Sequence, residues 1–290
     1  MRILVVDDFV LVELALAQVI QDTSHTLTGV RDPRSLPEVL GQGPQFDLAL
    51  VDINFGPGVP TGLTAMRILR DLSPETKIVI ESTDEERNRL LFLLASFSFF
   101  EPLALMSKAA PAQAMRALID AVDRGELTAP GFAGPDGVQG HGIQGSSVEG
   151  QSRGWTSESL VERLIRNSGC LDELIRNRTD LLLWRALVRF DKRGEVARAA
   201  HVDERTVDRF TAGKSQVVDK IEAEFPEGES APEAPPLQED DPDGHRRHPN
   251  LVRLARFAQT HGHFFSDEAL DELFAERWRS PRPRPRRPEG

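Results

Sequence analysis

The stretch Met1-Arg-Ile-Leu-Val-Val-Asp-Asp8 decides the fold. Ile3 to Val6 is unbroken apolar sequence, the pattern of a parallel strand buried on both faces, and it stops abruptly on two acids. Open α/β sheets place their sites at the carboxyl ends of strands, so Asp7 and Asp8 stand where chemistry is expected. A second strand of the same kind, Asp47-Leu-Ala-Leu-Val-Asp52, also ends on an acid. Carboxylates gathered at one sheet edge repel one another: two like charges ~4 Å apart cost on the order of 4 kcal/mol at an effective dielectric of ~20. A hard cation is the ordinary remedy, and Mg2+ pairs carboxylates with phosphate oxygens and water. The competing reading, unrelated strand-end acids kept wet, suits a single Asp better than this trio.

Outward from these two strands, Lys77-Ile-Val-Ile-Glu-Ser82-Thr83 finishes in hydroxyls and Pro102-Leu-Ala-Leu-Met-Ser-Lys108 finishes in an ammonium. A short strand is predicted at His25–Val30. Helical spacing marks Val10–Ile20, Ser35–Leu40, Thr61–Leu72, Asp84–Ser96 and Ala112–Asp123. Strands alternating with helices predict an α/β, doubly wound, five-stranded parallel sheet.

In this order, these residues resemble the receiver domain of two-component response regulators over residues 1–128. The resemblance implies a flavodoxin-like fold and Mg2+ held by Asp7, Asp8, Asp52 and the backbone carbonyl of Asn54. It implies Asp52 as phosphoacceptor, Ser82 with its neighbour Thr83 as switch hydroxyls, and Lys108 as the cation facing the phosphoryl group. A sensor histidine kinase would be the donor, and no enzyme activity is implied beyond transfer to the chain's own aspartate. The chemistry suits the residue types, because a carboxylate attacks phosphorus readily once the charge on the transferred oxygens is met. The chain departs from the family in three places. The loop from Ile53 to Gly62 is longer than usual, Lys108 follows Ser82 by 26 positions with a very apolar Leu90–Phe100 between them, and Leu105 stands where a switch aromatic is common in the family.

The 290 residues, 39% of them apolar, suffice for two modest domains and a tether. Cys170 is the only cysteine, which excludes a disulfide framework and fits a reducing interior. The apolar N-terminus is cut by Asp7, Asp8 and Glu13, and no uncharged run reaches membrane-spanning length, so a cytoplasmic protein without membrane insertion is expected. The net charge of -11 is uneven: residues 1–130 carry 11 basic and 18 acidic side chains, residues 155–225 carry 13 of each, and 227–243 carry seven acids and no base.

Residues 129–154 are rich in Gly, Ser, Gln and Pro, the composition of a flexible linker that decouples what it joins. Residues 155–225 read as an all-α output domain, with helices predicted at Ser157–Ile165 and Leu171–Phe190. Lys192 to Gly213 then resembles a helix-turn-helix: Val196 and Ala200 form one apolar face, Val202 marks the turn, and Val207 and Phe210 form the next. His201 sits where the family usually has a turn glycine. The recognition helix is predicted over Glu204–Ala212, with Arg205, Thr206, Arg209 and Lys214 as candidate DNA contacts. A solvated face, with Arg205 and Arg209 bridged to Glu204 and Asp208, is the competing reading. Residues 226–248 form an acidic Pro-rich segment expected to be disordered. Helices follow within 249–279, at Asn250–Thr260 and Ser266–Trp278, with His261-Gly-His263 read as an interhelical turn rather than a metal pair. Residues 280–290 are a basic Pro/Arg tail.

The expected function is therefore a phosphorelay response regulator that controls transcription as a homodimer on DNA, its recognition helices one turn, ~34 Å, apart. The alternative is a receiver whose output binds a sigma factor or another regulator, with or without phosphorylation; the charge-neutral helical domain and the apolar Leu90–Phe100 favour it. An aspartate-based phosphatase is a third reading, weakened by the lack of a second acid-base group.

Overall fold

The computed structural model describes residues 1–43, 45–56, 58–83, 89–127, 131–134, 137–139, 157–225 and 248–279. Its first compact unit runs Met1–Ser168 and its second Gly169–Gly290.

In the first unit, strands β1 (Arg2–Val6), β2 (Thr26–Val30), β3 (Leu48–Asp52), β4 (Lys77–Ser82) and β5 (Ala104–Ser107) are parallel in the order β2-β1-β3-β4-β5. This is the predicted doubly wound core. Every residue of β3 is buried, as an apolar run between two helical layers must be. The helices are α1 (Val10–Ile20), α2 (Leu36–Gly41), α3 (Gly62–Leu72), α4 (Arg89–Phe99) and α5 (Ala112–Asp123). Strand alternation divides the core. Ile3, Leu50 and Val79 meet Leu16 of α1 and Leu118 of α5, while Leu4, Val51 and Ile80 face the side carrying α3 and its neighbours.

The sheet does not end at β5. Strand β6 (Gly131–Gly134) adds parallel to β5, and β7 (Gly137–Gln139) adds antiparallel to β6. This corrects the linker expected over 129–154, whose other residues lie outside the described ones. The composition argument weighed side chains, whereas an open sheet edge captures a neighbouring segment through its backbone N–H and C=O groups. A second correction concerns α6 (Ser157–Asn167), expected to open the output domain. It belongs to the first unit, where it packs on α4 and β6 through Leu160, Val161 and Leu164. The apolar excess of Leu90–Phe100 is thereby explained: Leu91 to Phe97 are all buried, so α4 is covered beyond its sheet-facing side.

Among the described residues the elements of the second unit are all helices: α7 (Cys170–Leu174), α8 (Arg178–Leu187), α9 (Arg193–Ala199), α10 (Glu204–Glu224), α11 (Pro249–Thr260), α12 (Gly262–Phe265) and α13 (Ala269–Arg279). Trp184 centres its core, stacked on Phe265 at 4.9 Å and edge-on to Phe210 at 5.1 Å, with its indole N–H donating to Leu174 O at 2.9 Å. The single helix predicted for Leu171–Phe190 is broken in two. Asn177 caps α8 by accepting from Asp180 N at 3.0 Å, and Asp180 Oδ2 accepts from Arg176 N at 3.0 Å, so the polar pair holds a turn that apolar spacing did not reveal. Helices α11 and α13 pack on α8, and α11 also on α10. Asp267 rather than Ser266 serves the start of α13, accepting from Ala269 N at 2.9 Å. The tail 280–290 and all of the acidic segment but His248 lie outside the described residues. Among the described residues, no helix is long and apolar enough to cross a membrane.

Candidate functional site

The strand ends converge as their register requires. Val6 pairs with Val51, which carries Asp7 and Asp52 to the same level, and Ser82 pairs with Ser107, which carries Lys108 beside them. Lys108 Nζ lies 2.7 Å from Asp52 Oδ2 and 2.7 Å from Asp7 Oδ2. The remaining oxygens are held by backbone amides: Phe9 N donates to Asp7 Oδ1 at 2.7 Å, and Asn54 N to Asp52 Oδ1 at 3.3 Å. The long loop after β3 is tied across the pocket, with Gly56 N donating to Asp8 Oδ2 at 2.9 Å and Arg34 donating to Gly58 O at 2.6 Å. Gly62 starts α3 so close to the strand that a Cβ there would meet Asp52 O at 2.1 Å; only glycine lets the helix begin where it does.

Charge in this pocket is out of balance. Burial pushes the Asp52 carboxyl up to about 7, against the charge and hydrogen bond of Lys108 and with Asp7 adding to the rise. Burial works against the Lys108 ammonium, but Asp52 and Asp7 outweigh it and hold its pKa above the ordinary lysine value. One ligand oxygen from each of Asp7, Asp8 and Asp52 lies within 4.8 Å of the others, and Asp8 Oδ1 is buried with no hydrogen-bond partner. An orphaned oxygen beside an all-oxygen donor set and an acid driven toward neutrality fit a hard divalent cation such as Mg2+.

Ser82 is fully buried, and its hydroxyl donates to Thr83 O at 3.1 Å instead of to Asp52. Thr83 Oγ1 is buried without a hydrogen-bond partner. The sequence reading missed Glu81. It pairs across the sheet with Asp52, is 1% exposed, and its Oε2 has no hydrogen-bond partner. Burial pushes its carboxyl up to about 8, with the charges of Asp7 and Asp52 adding and Lys108 opposing. An acid directly after the apolar run Ile78-Val-Ile80, still within β4, was the available signal.

In the second unit, α9 and α10 pack on each other across a short turn, with Val196, Ala197, Ala200, Val207 and Phe210 buried between them and the core. His201 takes a positive φ of 54° in the turn, the conformation a glycine adopts freely. Asp203 caps α10 by accepting from Thr206 N at 2.6 Å. Arg205 and Arg209 are exposed, and Arg209 donates to Thr206 Oγ1 at 3.2 Å. Glu204 and Asp208 are paired with Arg193 of α9. Lys214 is a correction. It is 3% exposed, its Nζ lies 2.5 Å from Asp180 Oδ2 and donates to Glu173 O at 2.7 Å, so it is a core cation and not a nucleic-acid contact. Helix α10 runs on past Ala212 and Gly213 to Glu224, which turns Lys214 onto the buried face.

The sheet order gives the first unit the receiver fold, with three acids at its carboxyl edge and the lysine from the end of β5 beside them, and the described elements of the second unit are all helices. Solved structures similar to the chain include two RcsB dimers bound to two parallel DNAs, at 14% identity and TM-score 0.46 over 76% of this chain and 91% of that one. RcsB from Salmonella enterica serovar Typhimurium bound to promoter rprA with a phosphomimetic is similar at 13% identity and TM-score 0.41, over 76% of this chain and 92% of that one. The signal receiver domain of an HD domain-containing protein from Pseudomonas fluorescens matches at 21% identity and TM-score 0.37, over 42% of this chain and 94% of that one. No family model and no curated protein matches the chain.

Proposed function

We propose that the chain is a phosphorylation-responsive regulator in which Asp52 accepts a phosphoryl group and the helical unit contacts DNA. The observation that carries the first half is the pocket itself: Lys108 Nζ 2.7 Å from two acids, inside a cluster with one orphaned carboxylate oxygen. In the reaction, an Asp52 oxygen attacks the phosphorus of the donor's phosphohistidine, the P–N bond breaks, and an acyl phosphate forms on Asp52. Lys108, already shared between Asp7 and Asp52, meets the charge of the transferred oxygens, while Asn54 N steadies the other Asp52 oxygen. Asp7, Asp8 and Asp52, with the Asn54 carbonyl, would hold Mg2+, which when bound supplies neutralising charge to the acids and the phosphoryl group.

A sensor histidine kinase suits the surface beside the pocket. Phe9, Leu11 and Leu14, at and just before the start of α1 and along it, are 63%, 73% and 55% exposed, an apolar face able to receive a donor helix next to Asp52. For the output, the exposed Arg205 and Arg209 with Thr206 on α10 support DNA contact, and a homodimer would present two such helices. The alternative, an output that grips a sigma factor or another regulator, keeps the charge-neutral helical unit in its favour but loses α4 as its docking face, because α4 is already covered.

Incubation with a small phosphodonor and Mg2+ tests the first half: the wild-type chain is labelled and Asp52→Asn is not, whereas a fully labelled variant refutes the assignment. For the second, Arg205→Ala should cost about 1–3 kcal/mol of discrimination between sequences in a binding titration if it reads a base. A uniform loss makes Arg205 a phosphate contact, and absence of any DNA binding by the whole chain favours the protein-binding output.

A further inference from the structure

The three acids of the pocket are not steadied in the same way. Asp7 and Asp52 each accept from an amide two residues further on, Phe9 N and Asn54 N. Asp8 depends on a distant one: its Oδ2 accepts at 2.9 Å from Gly56 N, 48 positions along the chain in the loop after β3. That bond leaves Asp8 Oδ1 as the buried oxygen without a hydrogen-bond partner, the one free to bind a cation. The same loop carries Asn54, whose carbonyl is the remaining oxygen assigned to the ion.

A chain of bonds runs from the Gly56 amide to the surface. Val59 N donates to Gly56 O at 3.1 Å, closing a turn in which Gly58 takes a φ of 79°, the conformation that a type II turn reserves for glycine at its third position. Gly58 O accepts from Arg34 Nη2 at 2.6 Å. Arg34, in the short 3-10 turn Pro33–Ser35 after β2, is itself oriented by Asp32, which accepts from its backbone N at 2.9 Å and from its Nη1 at 3.3 Å. Only a forked guanidinium can serve Asp32 and Gly58 at once from one side chain. Ile53 and Phe55 are buried beneath the loop, so its inner side is fixed by packing and its outer side by Arg34.

We propose that Arg34 is a positioning residue for the divalent cation: by latching the loop at Gly58 it keeps the Gly56 amide on Asp8 Oδ2 and so presents Asp8 Oδ1 to the ion. This rests on the reading of Asp7, Asp8 and Asp52 as a cation site and adds the residue that orients the set from outside. Two simpler roles for Arg34 predict something else. Its side chain is 62% exposed and that of Asp32 36%, and an exposed ion pair adds little to stability. As a mere surface charge, Arg34 would repel a neighbouring cation, so its removal would tighten binding. The latch requires the opposite sign, because an Asp8 carboxylate freed from Gly56 must be ordered again at the expense of affinity.

The test uses the full chain and Mn2+, an ion that takes the same oxygen ligands as Mg2+, with the free ion counted by electron paramagnetic resonance. Arg34→Ala should weaken Mn2+ binding about tenfold, the usual effect of removing a group that orients a ligand, while the urea midpoint of the first unit stays in place. Without metal, the Gly56 amide of the variant should exchange about tenfold faster by NMR, since its partner is no longer held against it. Unchanged or tighter Mn2+ binding, an unmoved Gly56 amide, or a weakening that comes with a lowered midpoint overturns the latch and leaves the cation site intact. A wild-type chain that binds no Mn2+ overturns that site and the latch with it.

Discussion

Both units bury charge, and they treat it in opposite ways. In the second unit Lys214 finds Asp180 Oδ2 at 2.5 Å and Glu173 O at 2.7 Å, and the same Asp180 oxygen accepts from the Arg176 amide. Neither side chain leaves a buried polar atom without a partner. In the first unit Asp8 Oδ1, Glu81 Oε2 and Thr83 Oγ1 are buried without hydrogen-bond partners, all near one lysine that two acids share. The contrast separates a cation that holds a fold together from one that waits for chemistry: the informative feature is the bonding capacity that remains, not burial itself.

The sharpest way to break this comparison is to remove each lysine in turn. Lys214→Ala strands Asp180 in the core and should cost the second unit about 3–5 kcal/mol in a urea titration, the usual penalty for halving a buried pair. Lys108→Met should cost far less, because Asp52 and Glu81 already lean toward their neutral forms. Equal losses would erase the distinction drawn here.

The pH dependence of the two units should then run in opposite directions. Glu81, raised from 4.5 to about 8, keeps its proton when folded and loses it when unfolded, so stability is full below pH 4.5 and drains away as pH rises to 8. Without divalent metal, Glu81→Gln should therefore stabilise the first unit at pH 8 by about 2–4 kcal/mol and flatten that slope, as read from exchange of strand amides. His261 is the mirror case, its Nδ1 unpartnered and its ring 4.6 Å from Phe257. Burial holds it down to about 4 from 6.5, so the unfolded chain takes up the proton first and stability is lost as pH falls from 6.5 toward 4. His261→Gln should remove about 1–3 kcal/mol of that acid loss in the second unit. A second unit indifferent to acid would mean that the imidazole is better solvated than its surroundings indicate.

The same contrast explains what could be read from the sequence. Asp7, Asp52 and Lys108 were legible because a buried parallel strand has one pattern and its end is marked by the first charged residue. Glu81 also follows an apolar run, but its place opposite Asp52 depends on register, which comes from pairing rather than from either strand alone. Lys214 was misread because the recognition helix was expected to end at Ala212, whereas α10 runs to Glu224. Yet Val207, Phe210, Lys214, Val217 and Ile221 recur at three- and four-residue intervals, so the periodicity already placed the lysine inside. Its partner Asp180 could not be inferred, since it belongs to a helix boundary set by a cap. Strands β6 and β7 escaped notice because Gly-rich segments pair through backbone atoms that composition does not count.

The most direct test of the account traps the acyl phosphate chemically. After incubation with a phosphodonor and Mg2+, borohydride reduces a phosphoaspartyl residue to homoserine, and peptide mass spectrometry locates the change. The pocket described here predicts homoserine at position 52 alone, absent without the divalent ion. Homoserine at position 7 or 8, or an unmodified Asp52 in a chain that has taken up phosphate, would contradict it.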